Sequence, residues 1–336
     1  MSEVTYVFGA GASCKSMPLV NNFYERFNFF NEYLRKTNYD RQEFFNLCSD
    51  FSKNIKSHLS FDTFFKKLFH QNQKEKILLY KKALLIYFIF EHFVDLDYYE
   101  QLTYNGQDSE IKKDYNIDPR YEALIAGLLQ PIEGLSEFYS KMNCITWNYD
   151  LNLIQAFKNF YMADISYGDF IGRFHISPNE FHFGNQLKVF HLNGFINHNK
   201  LINLEATGRN DFLNDFIDDL KNPDFKPLLK FAWEDHKNGK IESPCLQGAV
   251  EALKRSDLIV VIGYSFPLYN RLFDRQLFSW ENIKRKTIYL QDPNGQDILE
   301  ILKTDFEIKT QITTKEDPKL IVSRNPNSFI IPSAIF

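Results

Sequence analysis

Apolar positions along this chain fall into two rhythms. Short continuous runs at 5–8, 142–147, 188–192, 258–262 and 287–290 have the length of strands buried in a sheet. The run 258–262, Leu-Ile-Val-Val-Ile, is apolar on both faces, as a central parallel strand requires. Apolar residues at helical spacing instead occupy 21–34, 44–51, 61–69, 76–94 and 121–139, then 151–160 and 247–254. The segment 306–312 has the pattern of a last strand, and the residues from 325 onward read as loop.

The order of these elements sets the architecture. More than a hundred residues of helical pattern separate the first strand from the second, whereas a βαβ crossover needs only about 30 residues in all. The expected fold is therefore α/β, a Rossmann-like parallel sheet with a large helical insertion after the first strand. Residues 1–19 and 141–336 then make the sheet domain, and 20–140 the helical insertion subdomain. Polar stretches at 101–118, with Asn105-Gly106, and at 203–224 read as a surface loop and as a loop or mobile helix over the site.

Polar and glycine residues gather where the strands end. Gly9-Ala10-Gly11-Ala12-Ser13 follows the first strand, where a sharp turn with free backbone N–H groups suits a pyrophosphate. The same turn without a ligand is equally consistent with Gly-x-Gly, since the third glycine of the usual dinucleotide fingerprint is missing. Asn148 and Asp150 follow the second strand, at the edge where open α/β sheets place their chemistry; Asp150 reads equally well as a helix cap. His191 and Asn193 close the third strand, two apart and on one face if the chain stays extended. His191 is either a hydrogen-bonded structural residue or a base. Gly263 and Ser265 form a second glycine-bearing turn, and Asp292 and Asn294 end the fifth strand.

Composition narrows the function classes. With 39 basic and 43 acidic side chains, net −4, there is no overall electrostatic case for nucleic acid. Cys14, Cys48, Cys144 and Cys245 are far apart, which suggests neither a zinc ribbon nor a disulfide framework, so no metal and a cytoplasmic location are expected. The chain enters the glycine turn without a basic and apolar leader, and the apolar run 83–94 is too short to span a bilayer and reads as a core helix. Most of the 34 phenylalanines and 18 tyrosines are expected in the core.

The four strand ends Gly9-Ala10-Gly11-Ala12-Ser13, Thr146-Trp147-Asn148-Tyr149-Asp150, His191-Leu192-Asn193-Gly194 and Gly263-Tyr264-Ser265-Phe266 occur in an order and spacing that resembles the sirtuin-like superfamily. The resemblance is strongest to its bacterial antiphage-defence branch and covers about residues 4 to 300. It implies that the glycine turn holds the NAD pyrophosphate and that Asn148 orients water and the nicotinamide ribose. It also implies that Gly263 and Ser265 meet cofactor phosphate or ribose, and that Asp292 or Asn294 meets the adenosine ribose. The implied activity is hydrolysis of NAD, as substrate, to nicotinamide and ADP-ribose in abortive infection, controlled by homo-oligomer assembly or a separate sensor protein.

Two departures from that family pattern matter. The paired cysteines of a deacetylase zinc site are absent, which removes support for deacetylation. The family's His-Gly is Asn193-Gly194 here, so either His191 serves as base with a histidine's ordinary pKa near 6.5, or the site is impaired and the chain is an NAD or ADP-ribose binding and sensing subunit.

Overall fold

The computed structural model of this chain describes residues 3–37, 41–94, 96–97, 113–132, 135–138, 141–161, 176–177, 180–183, 187–194, 196, 213–222, 224–237, 240–308 and 314–335. Its strands are β1 (Glu3–Phe8), β2 (Leu129–Ile132), β3 (Leu135–Phe138), β4 (Lys141–Thr146), β5 (Ile176–Ser177), β6 (Glu180–Phe183) and β7 (Leu187–His191). They continue with β8 (His236–Lys237), β9 (Lys240–Ile241), β10 (Leu258–Ile262), β11 (Thr287–Gln291) and β12 (Lys319–Ser323). Helices α1 (Phe23–Thr37), α2 (Gln42–Ile55), α3 (Phe61–His70), α4 (Lys74–Phe93) and α5 (Pro119–Leu128) lie between β1 and β4. Those that follow are α6 (Asn152–Tyr161), α7 (Leu213–Asp219), α8 (Pro244–Arg255), α9 (Arg271–Leu277), α10 (Trp280–Ile283) and α11 (Gly295–Asp305).

The main sheet runs β12-β11-β10-β1-β4-β7-β6-β5. Its first six strands in this order are parallel, and β6 and β5 extend it antiparallel beyond β7. Numbered by chain order, the parallel strands read 6-5-4-1-2-3, the doubly wound arrangement in which the order reverses between the first and fourth strands. Register brings five strand ends level: Phe8 pairs with Ile262 and Thr146, Thr146 with His191, and Ile262 with Gln291. Every residue of β10 is buried, as its all-apolar sequence predicts for a central strand.

Two apolar cores flank the sheet because alternate strand residues point to opposite faces. Tyr6 and Phe8 join the aromatic helices of the insertion, where Phe27, Phe30, Phe51, Tyr87 and Phe90 are fully buried. Each such ring contributes roughly 1.5–3 kcal/mol by leaving water. Val7, Ile145, Val261 and Leu290 face the opposite core with α8, α9 and α11. The C-terminal half of α4 is buried on every side, which explains why its sequence lacks a polar stripe.

Several local expectations are corrected. The helical pattern at 121–139 stops at Leu128, and β2 pairs with β3 as a hairpin; Pro131 lacks the N–H that a continuing helix needs. Phe306, Glu307 and Ile308 belong to no strand, and the sheet's edge strand is β12 instead. Phe306 packs on Phe266 and Phe278 at the end of α11, and Glu307 adopts φ 57°, which ends the regular chain. Residues 309–312 of that pattern lie outside the described residues, as do 101–112 and 203–212 of the two polar stretches. Within the remainder, Lys113 and Asp118 are buried, and α7 packs Leu213, Phe216 and Ile217 inward, with Lys82 Nζ on the Leu220 carbonyl at 2.7 Å.

Candidate functional site

The level strand ends bring all the sequence-predicted site residues to one edge of the sheet. At its centre the turns after β1 and β10 interlock. Gly9 N–H donates to Ile262 O and Gly11 N–H to Gly263 O, each at 3.0 Å, while Ala12 N–H returns to Gly9 O at 2.9 Å. A Cβ on Gly263 would lie 2.4 Å from the Ala12 nitrogen, and one on Gly9 would lie 2.5 Å from the Gly263 oxygen. Gly263 also holds φ 60°, a left-handed conformation that glycine adopts without steric cost. The expectation of several free N–H donors is thus corrected for Gly9, Gly11 and Ala12. Their donors join two strands, and the glycines are needed first because two backbones touch.

Side chains of the next strands stitch this edge together. Asn148 is buried, and its Nδ2 donates to Gly9 O at 2.9 Å and Ser13 Oγ at 3.1 Å. Burial pushes the His191 pKa down to about 4, and the neighbouring Asn148 main chain opposes that shift only in part. Asn193 donates through Nδ2 to Trp147 O at 2.9 Å. The chain does not stay extended from His191 to Asn193: Gly194 N–H closes a turn onto His191 O at 3.1 Å, with Gly194 at φ 67°. The shared-face spacing of His191 and Asn193 is corrected accordingly, and Asn193 instead grips the Trp147-Asn148 segment from the turn. Asn193 Oδ1 and Trp147 Nε1 are buried acceptor and donor without a hydrogen-bond partner, groups that folding rarely leaves unmet.

The remaining predicted residues sit around this centre. Asp150 Oδ1 accepts from Asn152 N–H at 3.0 Å at the start of α6, the capping role, and burial holds its carboxyl above the usual range against bonds from Ser13 and Asn152. Ser13 Oγ also meets Tyr121 Oη at 3.1 Å. Ala10 and Ser265 are exposed. Asp292 Oδ1 accepts from Asn294 N–H at 2.7 Å, and its N–H continues the sheet to Ser323 O. Asn294 is exposed at the start of α11.

Sequence reasoning missed Asp118 and Arg120. Asp118 caps α5 through the Arg120 N–H at 3.1 Å and accepts from Lys15 N–H at 3.1 Å. The buried Arg120 guanidinium pairs with Asp118 and donates from one nitrogen to Gly11 O at 3.2 Å and Ala12 O at 3.1 Å. Its other terminal nitrogen donates to Pro326 O at 3.2 Å, and the group lies over the Phe329 ring at 4.9 Å. Asp followed by Pro is a readable helix start, which marks Asp118. Nothing in the local pattern ties Arg120 to a turn more than a hundred residues earlier.

Fold and site together define an α/β protein with a Rossmann-like sheet whose glycine turns meet at the point of strand-order reversal, where open sheets bind ligands. No protein-family model matches the chain, and no curated protein matches it. Among the described residues no helix is long and apolar enough to cross a membrane, and no group of three or more His, Cys, Asp or Glu side chains is placed to hold a metal ion.

Proposed function

We propose that the chain binds NAD over the ends of β1, β4, β7 and β10 and hydrolyses it to nicotinamide and ADP-ribose. The observation that carries this reading is the pair of interlocked glycine turns on either side of the strand-order reversal, the position at which doubly wound sheets take dinucleotides. The unmet Asn193 Oδ1 and Trp147 Nε1 add an acceptor and a donor of the kind an amide or a ribose hydroxyl satisfies.

Nicotinamide leaves NAD as a neutral molecule, so the barrier lies in the cationic ribose that remains. Positioning and electrostatics are what the protein must supply. Asn148 fixes the glycine turn through Gly9 and Ser13, Asn193 fixes the segment that carries Asn148, and the buried His191 ring lies beside that segment. His191 acts in this scheme as a neutral positioning group. Action in antiphage defence and activation by self-assembly or a sensor protein rest on the resemblance of the four strand ends alone.

A second reading is a binding subunit that holds NAD or ADP-ribose without turnover. The commitment of the Asn148 and Asn193 amides to protein oxygens favours it. Calorimetry of the full chain with NAD and with ADP-ribose, beside a chromatographic assay for nicotinamide, separates the two. Binding with nicotinamide release supports hydrolysis, and binding without release supports the sensor. Failure to bind either nucleotide overturns both readings.

A further inference from the structure

A buried carboxyl from the helical insertion stands over the strand ends and has no part in the scheme above. Asp62 lies in the first turn of α3, whose cap is Ser60, with Oγ accepting from Thr63 N–H at 3.2 Å. Only 8% of Asp62 is exposed, and its Oδ1 accepts from the Tyr149 hydroxyl at 3.4 Å. Tyr149 is the residue between Asn148 and Asp150. It is stacked on Phe88 at 5.5 Å and lies against Phe61 at 5.8 Å, so the insertion grips the end of β4 at this point.

From the other side comes the turn after β10. Tyr269, partly exposed in the 3-10 segment Leu268–Asn270, has its hydroxyl pKa raised by burial and then by the nearby carboxyls of Asp62 and Asp274. Asp274 in turn accepts from Tyr264 Oη at 2.8 Å. Asp62 therefore touches the residue that follows Asn148 at the end of β4 and acts electrostatically on the turn after β10, and β1 with its glycine turn is the strand between β4 and β10.

Helix stability does not explain the burial. An exposed acid in a first turn contributes about 0.3–1 kcal/mol, whereas a buried carboxylate without a cation is costly. Among the described residues no cation acts on Asp62. Glu234 faces Tyr149 from the segment 225–235, and Lys81 of α4 is engaged by Glu234. Sites that perform proton transfer are where such a cost is found.

Resting on the NAD reading, the geometry points to Asp62 as the general base of this site. Its carboxylate takes a proton from the water whose oxygen bonds to C1′ of the nicotinamide ribose. The C1′–N bond breaks, its electron pair leaves with neutral nicotinamide, and the proton passes from Asp62 to solvent. NAD and water give nicotinamide, ADP-ribose and one proton. Burial raises the Asp62 carboxyl to about 7, against hydrogen bonds from its own helix N–H and from Tyr149. A base is most effective near the working pH, which the His191 ring at about 4 is not.

The test is a titration of the ¹³C-carboxyl resonance of Asp62 in the full chain, assigned by Asp62→Asn, with and without saturating NAD. The expected result is a midpoint near neutrality that falls by about one unit when the cationic ribosyl-nicotinamide is bound. A resonance that NAD leaves unmoved overturns the inference. In the activated protein, Asp62→Asn should lower nicotinamide release by about 10²-fold or more while NAD affinity changes only a few-fold. Asp62→Glu should keep a pH-dependent rate. Lys113, pushed down to about 7 by burial, titrates in the same window, so a kinetic pKa that survives Asp62→Asn also overturns the assignment. Calorimetry of the unaltered chain judges the underlying reading separately: no binding of NAD removes both, whereas binding with an unmoved Asp62 removes only this one.

Discussion

Gly11 donates its N–H to the Gly263 carbonyl at 3.0 Å, and a Cβ on Gly263 would come within 2.6 Å of the Gly11 Cα. The turn after the first strand is thus half of a joint whose other half is more than 250 residues away. A side chain at either glycine meets protein backbone before it meets any ligand.

Gly263→Ala is expected to destabilise the fold by about 1–2 kcal/mol from the left-handed backbone alone, and by roughly 1–3 kcal/mol more from overlap with the Gly11-Ala12 backbone. Gly11→Val should lower stability and NAD affinity together, because its Cβ would sit 2.9 Å from the Gly263 Cα. Urea denaturation measures both variants. An unchanged midpoint in Gly263→Ala would show that the joint is looser than described.

Asn148 holds the glycine turn through two donors, to Gly9 O and Ser13 Oγ. Asn148→Ala is expected to lose about 1–3 kcal/mol and to weaken NAD binding as well as turnover. Asn148→Asp should be worse, since it turns a carboxylate oxygen toward the Gly9 carbonyl. Calorimetry that finds parental NAD affinity in Asn148→Asp would separate the turn's geometry from Asn148.

Arg120→Lys keeps the charge but cannot reach Gly11 O, Ala12 O, Asp118 and Pro326 O with one ammonium. Arg120→Met leaves the fully buried Asp118 without its cation, a loss of about 3–5 kcal/mol. Both should speed amide hydrogen exchange at Ser13 and in the 325–335 segment. Exchange confined to α5 would mean that Arg120 does not support the turn.

The depressed pKa of His191 makes stability fall with acid. The ring is neutral in the folded protein down to about 4, whereas the unfolded chain binds that proton below about 6.5. The unfolded state therefore binds more protons between these values, and stability is complete above 6.5 and is lost as pH falls toward 4. The maximum effect is of order 3 kcal/mol. His191→Gln should flatten the dependence of the urea midpoint on pH in that window, and a slope identical to the parent's would place the titration elsewhere.

The elements that the chain encodes locally were legible in its sequence. The run 258–262 coincides with β10, and the helical stretch after β1 separates it from β4, because burial on two faces and on one stripe leave different periodicities. Proline and aromatic packing moved two boundaries, at Pro131 and Phe306. The strand ends were also readable, since polar residues after apolar runs are local features. What each polar group touches was not. Asn148 meets Gly9, Arg120 meets Gly11 and Asp62 meets Tyr149 across 139, 109 and 87 residues. Those partners, and the shifts of His191 to about 4 and Asp62 to about 7, arise only when the sheet aligns its strand ends and the fold buries these two side chains. A hydrogen-bond partner and a local dielectric belong to spatial neighbours, and the tertiary fold alone decides which those are.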